Sequence, residues 1–337
     1  MEQAKGIMMH AFPKSTPISE RCKRLQDLLL PDDSLAIIIN ADPDAIASAL
    51  ALKRLFWHKV KKTIIFHINP IQRADNLALV KLLRIDLRPL KKLKRNQFTK
   101  TAMVDSQPHH NVLFGKYNYD VIIDHHPVGP LSKAPFVDIK EEYGAISTLM
   151  TEYLRAVKIK PSPKLATALL YGIKTDTDNF ARHATTQDIN AFRYLYFFAN
   201  INIIKKIESS ELNRKTLQSI RMAIDNLRFH KDIAFIHMER VSNPDDLVII
   251  TDFFLKMVEA SWCIVSGVYG KNLIVILRYA GFRLDAGKAA EKLFGPWGNA
   301  GGHKEAARAE IPLQALAKDV KGESGLRQFV WERIEIL

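Results

Sequence analysis

Short unbroken apolar runs in this chain alternate with longer stretches whose composition or three-to-four spacing is helical. Three of the runs, residues 34–40, 101–104 and 121–123, are built mainly from Ile, Val, Ala, Leu and Met. A strand covered on both faces has this pattern, because neither side can be polar, and such strands belong to parallel sheets. Residues 45–56, 165–170 and 186–198 are the expected helices. Together they predict an α/β fold, a doubly wound parallel sheet in the first part of the chain.

The pattern changes after residue 200. Ile204, Ile207, Leu212, Leu217, Ile220, Ala223, Ile224 and Leu227 recur at near-helical spacing among charged residues, which predicts a connecting helix over 201–228. Beyond it, residues 233–236, 262–268 and 272–278 are expected strands, and residues 243–258 open with turn chemistry and continue as a helix. The expected organisation is a first domain over 1–200, the linker helix over 201–228, and a smaller mixed α/β domain over 229–337. The active site is expected in the cleft between the domains. A chain of 337 residues exceeds the size at which single cores stop growing, so two domains are consistent with its length.

Composition adds little to this except in its charge. Hydrophobic content of 47% is ordinary for a globular protein. Two distant cysteines, Cys22 and Cys263, make no disulfide framework. No apolar stretch is long enough to span a bilayer and residues 1–17 lack an apolar signal core, so the expectation is a cytoplasmic protein with no membrane partner. The net charge of +13 favours a polyanionic partner, since positive potential concentrates phosphates.

Candidate chemistry lies where the apolar runs end. The first leads into Asp42-Pro43-Asp44, the second stops at Asp105, and the third runs into Asp124-His125-His126-Pro127. In open α/β sheets reactive groups gather beyond the carboxyl ends of the strands. A further acid, Asp176, is expected on a glycine-bearing loop over 172–178 on the same rim. Carboxylates and imidazole without thiolate suit Mn²⁺ or Mg²⁺. One carboxylate, Asp105, is placed to bridge two ions about 3.5–4 Å apart, the spacing that serves phosphoester hydrolysis.

These residues resemble the DHH phosphoesterases with their associated C-terminal domain. Asn40 to Ala45, Val104-Asp105, Asp124 to Pro127 and Gly172 to Thr177 are similar to four successive motifs of that family, and Gly301-Gly302-His303 to its Gly-Gly-His motif. The resemblance implies that Asp42 and Asp105 hold a first ion, and that Asp44, Asp105, His125 and Asp176 hold a second. It also implies that His126 faces the scissile phosphate. Short oligonucleotides, 3′-phosphoadenosine nucleotides and cyclic dinucleotides are the implied substrates, as for an oligoribonuclease-type exonuclease or a nucleotide phosphatase.

One position departs from the family pattern. The histidine expected to complete the first ion's shell is here Ile38. Water can fill the vacancy, which is the favoured option; another histidine, His67, His109 or His110, can reach across; or the site is empty. The last option turns the enzyme into a sensor or binding protein for a phosphate ligand.

The loop over 294–303 carries four glycines, so its backbone can approach an anion. A helix over 304–309 is expected to add its positive end. With Arg278, the family resemblance makes Gly301, Gly302 and His303 the expected substrate-binding group. Residues 194–198 are expected to be core. Residues 106–111 follow Asp105 and can line the pocket, with solvated histidines as the default, and Ser147-Thr148 are expected to cap a helix whose N–H groups can also touch phosphate. Exposed edge strands and apolar helix faces leave a homodimer open.

Overall fold

A computed structural model describes residues 12, 16–129, 133–210, 214–317, 320 and 322–337. They fall into two compact units, residues 1–211 and 212–337. In the first unit the strands are β1 (Ser34–Ile39), β2 (Lys62–His67), β3 (Leu87–Pro89), β4 (Lys100–Val104), β5 (Val121–Asp124) and β6 (Phe136–Ile139). The helices are α1 (Ile18–Asp27), α2 (Pro43–Leu55), α3 (Ala74–Leu82), α4 (Ile146–Ala156), α5 (Pro163–Asp176), α6 (Thr186–Tyr196) and α7 (Ile201–Glu208).

The six strands pair in parallel in the order β3-β2-β1-β4-β5-β6. This is the doubly wound order, which reverses direction between β1 and β4. Asp42 follows β1 and Asp105 follows β4, so two expected ligands flank the place where an open sheet parts to admit a ligand. Every residue of β1 is buried, as its unbroken apolar run requires.

The two sheet faces are covered differently. Ile37, Ile39, Val104 and Ile123 pack with buried residues of all seven helices. On the other face Ile38, Met103, Ile122 and Val137 lie under Phe114 and Tyr119, from the connection between β4 and β5. Among the described residues that connection contains only a 3-10 turn, Phe114–Lys116. Loops rather than helices therefore carry the residues that follow Asp105 and Asp124.

The second unit contains α8 (Arg214–Asn226), β7 (Arg228–His230), β8 (Ile233–Arg240), α9 (Asp245–Phe254), β9 (Trp262–Tyr269), β10 (Asn272–Tyr279), α10 (Ala286–Phe294), β11 (Asn299–Gly302), β12 (Ala306–Pro312), α11 (Leu313–Leu316) and α12 (Gly322–Ile334). Its sheet, β11-β12-β10-β9-β8-β7, is mixed: β8 and β9 run parallel and the other pairs antiparallel. One apolar cluster gathers α10 and α12 against the sheet and another gathers α9 and Ala223 of α8.

Four sequence expectations are corrected. Residues 194–198 are not all core: Leu195 is buried, but Tyr196 and Phe197 are exposed. The single linker helix over 201–228 is two helices: Ile204 and Ile207 of α7 belong to the first unit's core, and Ala223 of α8 to the second's. Leu212, one of its expected apolar positions, lies outside the described residues. Residues 172–176 are not loop but the last turn of α5. The helix expected over 304–309 is replaced by strand β12, paired with β10 and β11; there, sheet pairing overrides the helical preference of Lys-Glu-Ala-Ala-Arg-Ala.

Candidate metal centre

Asp42 and Asp44 sit at the start of α2 because Asp-Pro-Asp is a helix-start sequence: Asp42 caps it, accepting the Ala45 N–H at 2.9 Å, and Pro43 fills the first position. Asp44 is buried and serves a second helix. Its two carboxylate oxygens accept the backbone N–H groups of Ile146 at 2.6 Å and Ser147 at 2.8 Å, at the N-terminus of α4. Ser147 thus lies inside the helix, and the expected capping role belongs to Asp44. Helix α5 reaches this point through Gly172: a Cβ there would stand 2.5 Å from Ser147 Oγ and 2.9 Å from Asp44 Oδ1. Asp176 follows one turn later at the end of α5.

His125 connects these acids to Asp105. Its Nδ1 donates to the Tyr143 carbonyl at 2.9 Å, because a carbonyl oxygen can only accept. The other nitrogen, Nε2, stands 3.3 Å from Asp105 Oδ1 and 3.1 Å from Asp176 Oδ2. An imidazole tied down at one nitrogen and aimed with the other is oriented as metal-binding histidines are. Asp105 takes a left-handed backbone conformation, φ 58°, which Asp and Asn tolerate better than other side chains. Its side chain is buried, and Oδ1 has no hydrogen-bond partner.

The carboxylates burden one another. Burial raises the Asp105 carboxyl well above its ordinary range, and the charges of Asp42 and Asp44 add to it. Burial, then Asp176 and Asp44, push Asp42 up to about 7; burial and Asp176 push Asp44 up to about 6. Burial opposes charge on His125, but Asp105 and Asp176 outweigh it and raise its pKa. Protons are one remedy for such crowding and a cation is the other. Ligand atoms of Asp44, His125 and Asp176 lie within 4.8 Å of one another, as do those of Asp105, His125 and His126. Hard oxygens with imidazole nitrogen, one buried oxygen unpartnered, fit a divalent cation. Ligand atoms of His110, Asp124 and His126 lie as close together, and Asp42 stands outside all three groupings.

His126 is held from behind. Its Nδ1 donates to Asp124 Oδ1 at 2.8 Å, and the buried Asp124 accepts Gln107 Nε2 on its other oxygen at 2.6 Å. Burial works to raise the Asp124 carboxyl, yet its bonds to His126 and Gln107 hold it below its ordinary value. Gln107 is fully buried; its amide also donates to the His126 and Pro127 carbonyls at 3.1 and 3.0 Å, and accepts the Gly129 N–H at 2.7 Å. It thereby ties the loop after β4 to the loop after β5. The sequence singles out Gln107 only as part of the stretch 106–111 that can line the pocket, and Asp124 only as part of its motif. Their signal was present: a polar residue two positions past a buried strand-end acid must find partners.

Ile38 is fully buried in the apolar layer with Met103, Phe114, Tyr119, Ile122 and Val137. His110 does come to the site, its ring centroid 5.1 Å from that of His126. His109 packs on it at 4.3 Å. His67 Nδ1 donates to the Asn69 carbonyl at 2.6 Å, at the end of β2. Burial lowers the His110 pKa to about 4, against the opposing charge of Asp124. Neither cysteine is a nucleophile: both are buried, and burial raises Cys22 to about 11.

In the second unit, the carbonyls of His303 and Lys304 accept the Gly287 and Ala286 N–H groups at 3.0 and 2.8 Å, at the start of α10. A Cβ on Gly287 would stand 2.6 Å from the Gly302 carbonyl oxygen, so small residues on both sides let loop and helix meet. Gly302 has φ 156°, within reach of glycine alone at little cost. The His303 side chain is exposed. Arg278, at the end of β10, donates through Nε to Asp252 at 2.7 Å.

Residues 34–173 match the DHH family, N-terminal domain. This part of the chain is a DHH family domain. The chain is 36% identical over 297 residues, 88% of its length, to an uncharacterized protein of Methanocaldococcus jannaschii, of which the match spans 61%. It is 29% identical over 200 residues to an A-adding tRNA nucleotidyltransferase of Aquifex aeolicus, spanning 57% of this chain and 23% of that one. It thus spans less than two thirds of the length of these curated relatives. Its fold is shared with an exopolyphosphatase-related protein from Bacteroides fragilis, TM-score 0.73, 15% identity, 96% of this chain and 98% of that one. Exonuclease RecJ bound to manganese shares it at TM-score 0.53 and 14% identity, over 97% and 95%. Among the described residues no helix is long and apolar enough to cross a membrane.

Proposed function

We propose that the chain is a metal-dependent phosphoester hydrolase whose DHH domain holds Mn²⁺ or Mg²⁺ on Asp42, Asp44, Asp105, His125 and Asp176. The observation that carries this reading is Asp105: a buried carboxylate whose Oδ1 meets no strict hydrogen-bond partner, with the His125 imidazole 3.3 Å away and the carboxylates of Asp42 and Asp44 adding charge of its own sign. Leaving such an oxygen unpaired costs roughly 1–3 kcal/mol or more, a cost a cation removes.

When bound, divalent cations lower the pKa of a water and polarise the phosphoryl group. The residues themselves orient and move protons. Asp124 keeps the His126 proton on Nδ1, which leaves Nε2 facing the acids to accept or return a proton. Tyr143 does the same for His125 and fixes its ligating nitrogen.

Small nucleotide phosphoesters and short oligonucleotides are the substrates we favour, with Arg278 and the Gly301-Gly302-His303 segment as anion-binding groups. The net charge of +13 and the exposed His303 side chain support this. The buried apolar seat of Ile38 favours a second reading, a phosphate-ligand binding protein with one weak cation site.

Calorimetric titration of the metal-free protein with Mn²⁺, followed by assay of a dinucleotide, 3′-phosphoadenosine 5′-phosphate, cyclic di-AMP, single-stranded DNA and polyphosphate, separates the two. Turnover of a small phosphoester is expected. Uptake of Mn²⁺ and ligand without turnover selects the binding protein, and no uptake of Mn²⁺ overturns both.

A further inference from the structure

The three histidines around the acids are not presented alike. His125 and His126 each carry a proton on Nδ1, to the Tyr143 carbonyl and the Asp124 carboxylate, so Nε2 is the nitrogen each has left for the site. His110 has the opposite polarity. Its Nδ1 lies 3.2 Å from the backbone N–H of Gln107 and 3.1 Å from Ser106 Oγ. A backbone N–H can only donate, so this nitrogen is bare and the neutral ring carries its proton on Nε2.

The polarity is built in, because the donor cannot move away. The Gln107 side chain is fixed by Asp124, the His126 and Pro127 carbonyls and Gly129. Turning His110 into a cation ligand through Nδ1 would break its bond to Gln107. Binding through Nε2 would require loss of that proton or a change of tautomer, also at the expense of the Gln107 bond. The ring meets His126 edge to face at 77°, and its side chain is exposed, so the Nε2–H is within a ligand's reach.

We propose that His110 is a substrate-binding residue of this site, whose Nε2–H donates to a phosphoryl oxygen beside His126. The proposal rests on the phosphoester reading and extends it to a residue five positions past Asp105. An anionic substrate entering a rim of Asp42, Asp44, Asp105 and Asp176 needs donors as well as cations, and a neutral donor provides one without competing for the metal. The chemistry recognised is a non-bridging oxygen of a phosphodiester or phosphomonoester.

Two amides separate this role from a structural one. Glutamine places its NH₂ near the position of Nε2, whereas asparagine places its NH₂ near Nδ1. Turnover of bis(p-nitrophenyl) phosphate by the Mn²⁺-loaded protein is expected to fall about tenfold to a hundredfold in kcat/KM in H110N and H110A, and to be largely kept in H110Q. Calorimetric Mn²⁺ affinity is expected to stay unchanged in all three.

Equal turnover in H110N and the native protein overturns the proposal. So does loss of Mn²⁺ affinity in step with turnover, which makes the ring a cation ligand. If the native protein turns over no phosphoester, the hydrolase reading falls, and His110 is judged by binding of inorganic phosphate to the Mn²⁺-loaded protein. Weaker phosphate binding in H110N with recovery in H110Q then supports the donor role, and equal binding overturns it.

Discussion

The carboxylate of Asp44 accepts the backbone N–H of Ser147 at 2.8 Å, joining an expected cation ligand to the start of a helix more than a hundred residues away. With the Ile146 N–H on its other oxygen, Asp44 has structural work to do whether or not a cation is bound. Asp105 Oδ1 caps no helix and has only the looser contact with His125 Nε2 at 3.3 Å.

The two residues should therefore part company in the metal-free protein. Asp44→Ala leaves two helix N–H groups without acceptors and should cost about 1–2 kcal/mol. Asp105→Asn keeps a residue that tolerates φ 58° and removes a desolvated charge, so stability should hold or rise. Both should lose Mn²⁺ binding and turnover. Chemical denaturation without metal gives the order, and Asp105→Asn as the less stable of the two would refute it.

The rim of acids was legible because a strand buried on both faces has no polar residue to spare, so the first polar residues after β1, β4 and β5 mark where each strand leaves the core. Gly172 misled for a physical reason. Glycine usually signals a turn, but here it sits inside α5, where any Cβ would strike Ser147 Oγ and Asp44 Oδ1. Ala306 to Ala309 misled in the other direction, since their local preference is helical and only pairing with β10 makes them a strand. The clamp made by Gln107 depends on two loops meeting in space, which no spacing within either loop encodes.

Gly172→Ala tests that close approach. The added methyl must push Ser147 or Asp44 aside, at about 1–3 kcal/mol, and displacing Asp44 should weaken Mn²⁺ binding as well. Thermal unfolding and calorimetry should both register the change. An unaltered Mn²⁺ isotherm would mean that the helices separate without moving the carboxylate.

Metal stabilisation should depend on pH with a definite sign. Folding raises Asp42 to about 7 and Asp44 to about 6, from an unfolded value of about 4. Acids raised in this way favour the folded state while protonated and cost it stability as pH climbs from the unfolded to the folded pKa. Metal-free protein should weaken between about pH 4 and about pH 7, a loss that bound cation cancels. The raised pKa of His125 keeps its ion pairs intact through that window. The gain in Tm on adding Mn²⁺ should therefore be larger at pH 7.5 than at pH 5, and equal gains would contradict the shifts.

Asp124→Asn should separate catalysis from cation binding. Asp124 touches His126 and Gln107 rather than the grouping of Asp44, His125 and Asp176. An amide in its place can offer His126 a donor where an acceptor is needed, so the ring loses its fixed proton. We expect kcat to fall roughly tenfold to a hundredfold, with Mn²⁺ affinity nearly unchanged. A matching loss of affinity would show Asp124 to be a ligand.

Ile38→His restores the histidine that the family resemblance places here, and the surroundings oppose it. Ile38 is completely buried among Met103, Phe114, Tyr119, Ile122 and Val137, and the Tyr119 hydroxyl already donates to the Phe114 carbonyl at 2.9 Å. An imidazole in that layer would have two polar nitrogens to satisfy, so metal-free stability should fall by about 1–3 kcal/mol. Mn²⁺ affinity should not improve while the ring stays in the apolar layer. A tighter isotherm with little loss of stability would show instead that the ring turns toward Asp42 and Asp105, and that the buried isoleucine had cost this chain a cation ligand that its neighbours could still accommodate.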